Sequence, residues 1–175
     1  MKKYLLLALC LVFVATGVFA TDFGAGLLFN NGKSPRHDNK ISDFGLYGFV
    51  GWKYIDIDLW IAFENEKGPY RWGSYDPYES NGFSFQAGFN FKLPITVSYV
   101  LRFYPTIGVN VGGASTFDLN LHSGLGIDFL VYKNMYVHGI GQYNCNLFPA
   151  LWYTAPFHGF LLKLGVGWML ERKKR

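Results

Sequence analysis

A large apolar residue occupies every second position of Ile55-Asp-Ile-Asp-Leu-Trp-Ile-Ala-Phe-Glu64. Phe83-Ser-Phe-Gln-Ala-Gly-Phe-Asn-Phe-Lys92 repeats the pattern, and residues 117–131 and 162–170 follow it as well. Alternation with a period of two indicates a β-strand that has one apolar face. Runs of about ten residues are also long enough for a tilted strand that crosses a bilayer.

The sequence predicts eight strands. They are placed at 22–30, 41–52, 54–65, 82–92, 95–112, 117–131, 135–147 and 157–170. The connections 31–40, 66–81 and 148–156 are longer, 113–116 is short, and 52–54, 92–94 and 132–134 are tight turns. Longer loops on one side and tight turns on the other are typical of an all-β, eight-stranded, antiparallel, up-and-down transmembrane β-barrel with both termini in the periplasm. Pro105 interrupts the fifth strand and is predicted to mark a bulge.

The ends of the chain predict export. Met1-Lys2-Lys3, the apolar run 4–14 and Val18-Phe19-Ala20 have the order of a secretory signal peptide. We therefore expect residues 1–20 to be cleaved, residues 21–170 to form the barrel, and residues 171–175 to form a basic tail. Cys145 is then the one cysteine left, so no intramolecular disulfide is expected.

The composition favours a membrane protein. Aromatic residues make up 19% of the chain and 21 residues are glycine, while charged residues make up 16%, against about 25% in soluble domains. After Lys2 and Lys3 are removed, fourteen basic and twelve acidic side chains remain, four of the basic ones in the tail. This balance indicates no nucleic-acid partner. The alternative is a soluble lipocalin-type barrel with its apolar face inside. An eight-stranded barrel has little internal room for so many bulky apolar side chains.

The segment Gly124-Leu-Gly-Ile-Asp-Phe-Leu-Val-Tyr-Lys-Asn-Met-Tyr-Val137 resembles the strand, tight turn and strand of small outer-membrane barrels. That family includes the OmpA transmembrane domain, OmpX, OmpW and the opacity-type proteins. The specific match covers about twenty residues and concerns architecture, so it transfers no functional residue. It implies a bacterial outer-membrane location. Such barrels usually end in Phe or Trp, whereas this chain ends in Glu171-Arg-Lys-Lys-Arg175, which leaves open how the assembly machinery reads it.

The polar positions of the alternating strands predict a charged lumen. The inward set is Asp56, Asp58, Glu64, Lys92, Arg102, Asp118, His122, Asp128 and Lys163. Mixed charges inside a narrow barrel are expected to pair and plug it, because buried charges need partners. The alternative is a narrow pore that favours cations.

A register follows from a turn centred on Ser115, because opposite residues of the fifth and sixth strands then pair about that centre. It sets Gly112 opposite Asp118, Gly108 opposite His122, and Arg102 opposite Asp128, all on the inward face. The next tight turn brings His138 beside Asp128. We therefore predict a lumen layer formed by Arg102, Asp128 and His138, with a charge-assisted and bidentate Arg102–Asp128 bond.

The histidines are the candidates for catalytic or metal-binding residues. His122 and Ser123 are neighbours in one strand, so their side chains point to opposite faces and do not form a nucleophile–base pair. His37 and His158 have no second ligand at metal spacing. The sequence therefore predicts no enzyme, no metal site and no cofactor.

The predicted outer loops carry many aromatic residues, namely Tyr70, Trp72, Tyr75, Tyr78, Trp152 and Tyr153. These residues either pack at the membrane interface or form a surface for a host molecule or an apolar solute. Three hypotheses for function stay open. The first is a structural or adhesive surface barrel, a monomer whose partner is outer-membrane lipid. The second is a narrow channel for small, apolar solutes, which the OmpW resemblance implies. The third and weakest is a lipid-modifying enzyme.

Overall fold

A computed structural model describes residues 21–34, 39–68, 78–113, 118–146 and 158–170. These residues form nine strands, β1 (Asp22–Ser34), β2 (Asn39–Gly51), β3 (Ile55–Gly68), β4 (Tyr78–Lys92), β5 (Ile95–Thr96), β6 (Leu101–Gly113), β7 (Asp118–Tyr132), β8 (Met135–Asn146) and β9 (His158–Met169). Apart from the short β5, each strand pairs antiparallel with its neighbours, β4 pairs with β6, and β1 pairs with β9. The predicted all-β, eight-stranded, up-and-down barrel is therefore confirmed.

The strand pairings fix the size of the barrel. Followed once around the sheet from Asp22 through the seven other long strands, they return to β1 at Gly32, ten residues further along. A rise of about 3.3 Å per residue and a strand spacing of about 4.8 Å then give a tilt of about 40° and a backbone radius of about 8 Å. A cylinder of this radius is filled by side chains and leaves no room for a wide channel.

The two faces of the barrel have opposite character. Phenylalanine, leucine, isoleucine and valine side chains point outward, with Leu125 70% and Phe63 60% exposed. Asp58, Asn110 and Lys163 point inward and are buried. The soluble-barrel alternative places the apolar residues inside and is therefore wrong. Among the described residues, no helix is long and apolar enough to cross a membrane.

The interior is more aromatic than the sequence suggests. Leu28, Tyr47, Phe49, Trp60, Ala62, Tyr136 and Leu161 form a buried cluster inside the barrel. Glycines on neighbouring strands make the space for some of these rings. A Cβ atom at Gly126 would lie 2.1 Å from the Tyr104 ring, and one at Gly167 would lie 2.3 Å from the Tyr136 ring. These two inward glycines therefore leave the space that the aromatic rings occupy.

The predicted tight turn at 92–94 is wrong, and the predicted strand 95–112 is divided into β5 and β6. The chain does not turn after Lys92 but continues through Pro94 into β5, where Ile95 pairs with Phe103 in the register already set by β4 and β6. The turn comes later, where the amides of Val97 and Ser98 donate to the Leu101 carbonyl. Pro94 lies between the two paired segments, and the chain passes through it without reversing.

The predicted bulge at Pro105 is also wrong. Pro105 pairs with Leu125 within an unbroken β6–β7 register, and its carbonyl accepts a hydrogen bond from the Leu93 amide. Its nitrogen therefore faces Leu93, and the missing N–H removes only the reciprocal bond to the Leu93 carbonyl, while the register continues into β5. The register shift lies between Leu130 and Tyr132 in the β7–β8 pair.

The strands extend into two of the predicted loops. β1 and β2 take residues 31–34 and 39–40 of the loop 31–40, and β3 and β4 take residues 66–68 and 78–81 of the loop 66–81. The rest of these loops, the predicted signal peptide at 1–20, the connection 148–156, most of 113–116 and the predicted tail 171–175 lie outside the described residues.

Candidate functional site: a lumen filled by ion pairs

The predicted pair of Arg102 and Asp128 is present in the lumen. The register places the two residues opposite each other in β6 and β7. The Arg102 Nη2 atom lies 2.5 Å from Asp128 Oδ2, and Arg102 Nε donates to the same oxygen at 2.7 Å. The other carboxylate oxygen of Asp128 accepts from the Tyr104 hydroxyl at 3.1 Å. The contact and the register are confirmed, but the predicted bidentate geometry is wrong because both guanidinium atoms contact one oxygen.

This pair belongs to a larger network at the end of the barrel with the tight turns. Arg102 Nη2 lies 3.5 Å from Asp22 Oδ2, and Lys92 Nζ lies 3.7 Å from the same oxygen. Lys92 Nζ also binds Asp56 Oδ1 at 2.5 Å. Two cations are therefore shared among three carboxylates from β1, β3 and β7. Sequence reasoning missed Asp22 because it stands next to the predicted cleavage site. The alternation along β1 does place Asp22 on the inward face, together with the other even-numbered residues of that strand.

A second network lies deeper in the lumen. The Lys163 ammonium group binds the Asp58 carboxylate, and Asp58 Oδ2 also accepts from Asn90 Nδ2 at 3.1 Å. Asn90 Oδ1 contacts His122 Nε2 at 2.5 Å and Gln142 Nε2 at 3.2 Å. These side chains thus link five strands, β3, β4, β7, β8 and β9, across the barrel. Lys163 is 0% exposed and Asp58 is 3% exposed, so this ion pair is fully removed from water.

His138 does not complete the predicted layer. It stands beside Asp128 in the β7–β8 register, as predicted, but its Nε2 atom contacts the Tyr47 hydroxyl at 2.5 Å. Its ring packs against Phe49 and Tyr136. The three-residue layer is therefore wrong in its third member. The physical reason is that Arg102 and Tyr104 already occupy both carboxylate oxygens of Asp128.

The other predicted site residues lie apart from these contacts or outside the described residues. Glu64 is half buried on β3. Asp118 begins β7 opposite Gly112, as the register predicts. His122 is buried and Ser123 is exposed, so the structure does not bring them together. Tyr78 is the first residue of β4. Tyr70, Trp72, Tyr75, Trp152 and Tyr153 lie outside the described residues, and so does His37.

Little space remains between the side chains. A cavity of about 10 Å³ separates the two ion-pair networks, between Tyr47, Asp58, Lys92 and His138, and it has room for about one water molecule. A hollow of about 160 Å³ opens beneath the turn between β5 and β6, where it reaches Arg102 and Asp128. In the part of the chain that the structure describes, no three His, Cys, Asp or Glu residues are grouped so as to hold a metal ion.

Comparisons with known proteins support the fold. No protein-family model and no curated protein sequence matches this chain. The crystal structure of Neisserial surface protein A (NspA) is similar, with a TM-score of 0.53 and 10% identity over 85% of this chain and 96% of that chain. The alignment with a de novo designed transmembrane β-barrel covers 84% of this chain and 95% of the designed chain at 11% identity. Its TM-score of 0.38 is too low to support the fold. The fold and the site define a small closed β-barrel with an apolar exterior and a lumen filled by ion pairs.

Proposed function

We propose that this protein is a bacterial outer-membrane β-barrel with a plugged lumen, and that its role is structural or lies in contacts made by its surface. The observation that carries the proposal is the pairing of an apolar exterior with an interior filled by ion pairs. The closed sheet leaves the long strands without open edges, so we also propose that the protein is a monomer surrounded by outer-membrane lipid.

The exterior supports the membrane location. Exposed phenylalanine and aliphatic side chains surround the barrel, and such a continuous apolar surface far exceeds the patches that soluble monomers tolerate. At the turn end, Lys53 lies over the Tyr54 ring and Lys133 over the Tyr132 ring. Tyrosine and lysine are the residues expected where hydrocarbon meets the headgroups. We place this turn end, where β1 begins and β9 ends, in the periplasm.

The interior supports the plug. An open pore needs a continuous hydrated path, but side chains from strands that are not neighbours meet across the lumen at Lys163–Asp58 and at Arg102–Asp22. An ion that passed would have to break both networks in turn. We also propose that the protein is not an enzyme, since the one His–Ser neighbour pair points to opposite faces.

Planar-bilayer recording with the refolded full-length protein tests the plug. We expect no discrete conductance steps, because the lumen is crossed by paired charges. Insertion is checked in parallel by flotation with lipid vesicles and by the shift in gel mobility that folded barrels show before heating. Reproducible single-channel steps from protein that passes both checks would overturn the plug and favour the narrow pore.

A further inference from the structure

The outward face of β1–β4 changes its chemistry in rows toward the loop end of the barrel. The first row is aromatic, with one member on each strand, and the register sets these members side by side as Phe29, Phe44, Phe63 and Phe83. Each of the four is at least 40% exposed. The ring centroids of Phe29 and Phe44 lie 5.2 Å apart, and those of Phe63 and Phe83 lie 4.2 Å apart. This phenylalanine row therefore forms an aromatic edge to the apolar band.

The next outward row is polar and uncharged. Two residues further along the same strands, the register sets side by side Asn31, Ser42, Asn65 and Asn81. Asn65 Nδ2 donates to Asn81 Oδ1 at 2.8 Å on the exposed surface. Amide and hydroxyl groups donate and accept hydrogen bonds, and they are costly to place in hydrocarbon. This polar row therefore marks where the outward face leaves the apolar part of the membrane.

The third row is basic. Two residues further again, β1, β2 and β3 contribute Lys33, Lys40 and Lys67, which the register sets side by side. Lys40 is exposed. The positions of Lys33 and Lys67 lie two residues beyond members of the polar row on the same strands, so the alternation assigns them to the outward face as well. Opposite the two ends of this lysine row stand His158 of β9 and Glu79 of β4. Three lysines and one glutamate leave the surface with a net positive charge.

The lysine row favours an anionic partner. Residues directly opposite each other in antiparallel strands have Cβ atoms about 5 Å apart, and like charges at such positions are destabilising. An anion that contacts neighbouring lysines together removes this cost. The positive charge is also confined to one side of the barrel, because the described outward positions near the loop end of β6, β7 and β8 are uncharged, among them Val111, Leu121 and Cys145.

We propose that the outward face of β1–β4 at the loop end binds a phosphorylated glycolipid of the outer leaflet, of the lipid A class. The lysine row contacts the phosphate groups, since lysine is a common phosphate binder. The polar row contacts the sugar, and the phenylalanine row contacts the acyl chains. The lysine row lies four residues, or about 13 Å, beyond the phenylalanine row along the strands, so one lipid spans all three rows. This inference rests on the proposed outer-membrane location with the loop end outward.

The combination of the three rows selects this ligand. A free phosphate ion would use the lysine row alone, and an uncharged lipid would use only the polar and phenylalanine rows. A lipid that joins phosphate, sugar and acyl chains in one molecule uses all of them. The phosphate contacts should therefore add to the affinity that the apolar surface provides.

Native mass spectrometry of the folded full-length protein in a maltoside detergent tests the site, with purified lipid A as the probe. We expect saturable binding of lipid A, and binding at least about tenfold weaker for dephosphorylated lipid A with the same acyl chains. The double variant Lys33→Gln with Lys40→Gln should cause a similar loss. Lys53→Gln with Lys133→Gln is the matched control, because it removes two exposed lysines at the turn end, and it should leave the affinity unchanged.

Three results would overturn the proposal. Equal binding of the phosphorylated and dephosphorylated lipids would show that the apolar surface alone is recognised. Equal losses in the two double variants would show a general effect of charge. Displacement of lipid A by an equimolar amount of inorganic phosphate would show a phosphate site to which the acyl chains add nothing. The comparison of lipids uses the wild-type protein, so it decides the question even where a variant does not fold.

The proposed location is tested separately, by separating the inner and outer membranes of cells that make the protein. A barrel that is recovered with the outer membrane but does not distinguish the two lipids contradicts only the lipid site. A barrel that is recovered elsewhere contradicts the proposed location, and the lipid site with it.

Discussion

The ion pair between Lys163 and Asp58 allows the sharpest test of the lumen. Asp58→Asn keeps the size of the side chain and removes its charge, which leaves the Lys163 ammonium group without its carboxylate. Lys163 is 0% exposed, so water cannot replace the lost partner. Removing one partner of a fully buried ion pair costs about 3–5 kcal/mol. Lys163→Met strands the opposite charge and should cost a similar amount.

The double variant separates pairing from packing. When both charges are removed, no unpaired charge remains, so the double variant should cost at least about 2 kcal/mol less than the sum of the two single variants. Asp128→Asn should cost only about 1–3 kcal/mol. The reason is that Arg102 is 26% exposed and keeps Asp22 at 3.5 Å.

These costs are measured by equilibrium urea unfolding in lipid vesicles, with tryptophan fluorescence as the signal. The predicted order is Asp58→Asn above Asp128→Asn, with strong non-additivity for the Asp58–Lys163 pair. A cost below about 1 kcal/mol for Asp58→Asn, as for an exposed pair, or simple additivity in the double variant, would contradict a fully buried ion pair. Either result would mean that water reaches Lys163 and that the lumen is open there.

Three further predictions concern packing, exposure and orientation. Gly126→Ala should cost about 1–3 kcal/mol in the same unfolding assay, because its Cβ would lie 2.1 Å from the ring of Tyr104. Gly82→Ala is the control and should cost little, because a Cβ there has nothing within 4 Å. Equal costs for the two variants would contradict this prediction. Cys145 lies on the outward face of β8 and is partly exposed, so in lipid an apolar maleimide should label it faster than a charged one, and the reverse order would place it in water. Protease added to intact cells should cut within residues 66–81; cutting only after the outer membrane is permeabilised would invert the proposed topology.

The sequence predicts the strands and their register well where the turns are short and the alternation is regular. The pairing of Arg102 with Asp128 follows from a single assumed turn centre, because antiparallel register propagates along the whole hairpin. The alternation also places Asp56, Asp58 and Lys163 on the inward face. These are local properties, since each depends on residues near one another in the chain or across one turn.

The errors arise where the structure depends on contacts across the barrel. Tyr47 and His138 are 91 residues apart and meet inside the lumen, and no local pattern indicates that contact. Pro94 and Pro105 were both misinterpreted, because a proline can lie within an extended strand at the cost of at most one missing N–H donor.

Fluorescence quenching by brominated lipid tests the central claim, that the apolar face meets lipid while the lumen is closed to it. Trp168 points outward and is 42% exposed, whereas Trp60 points into the lumen and is 3% exposed. Two variants are compared in vesicles, each retaining one of these residues while the other four tryptophans are replaced by phenylalanine. We predict strong quenching of Trp168 and weak quenching of Trp60. Equal quenching, or stronger quenching of Trp60, would contradict the account.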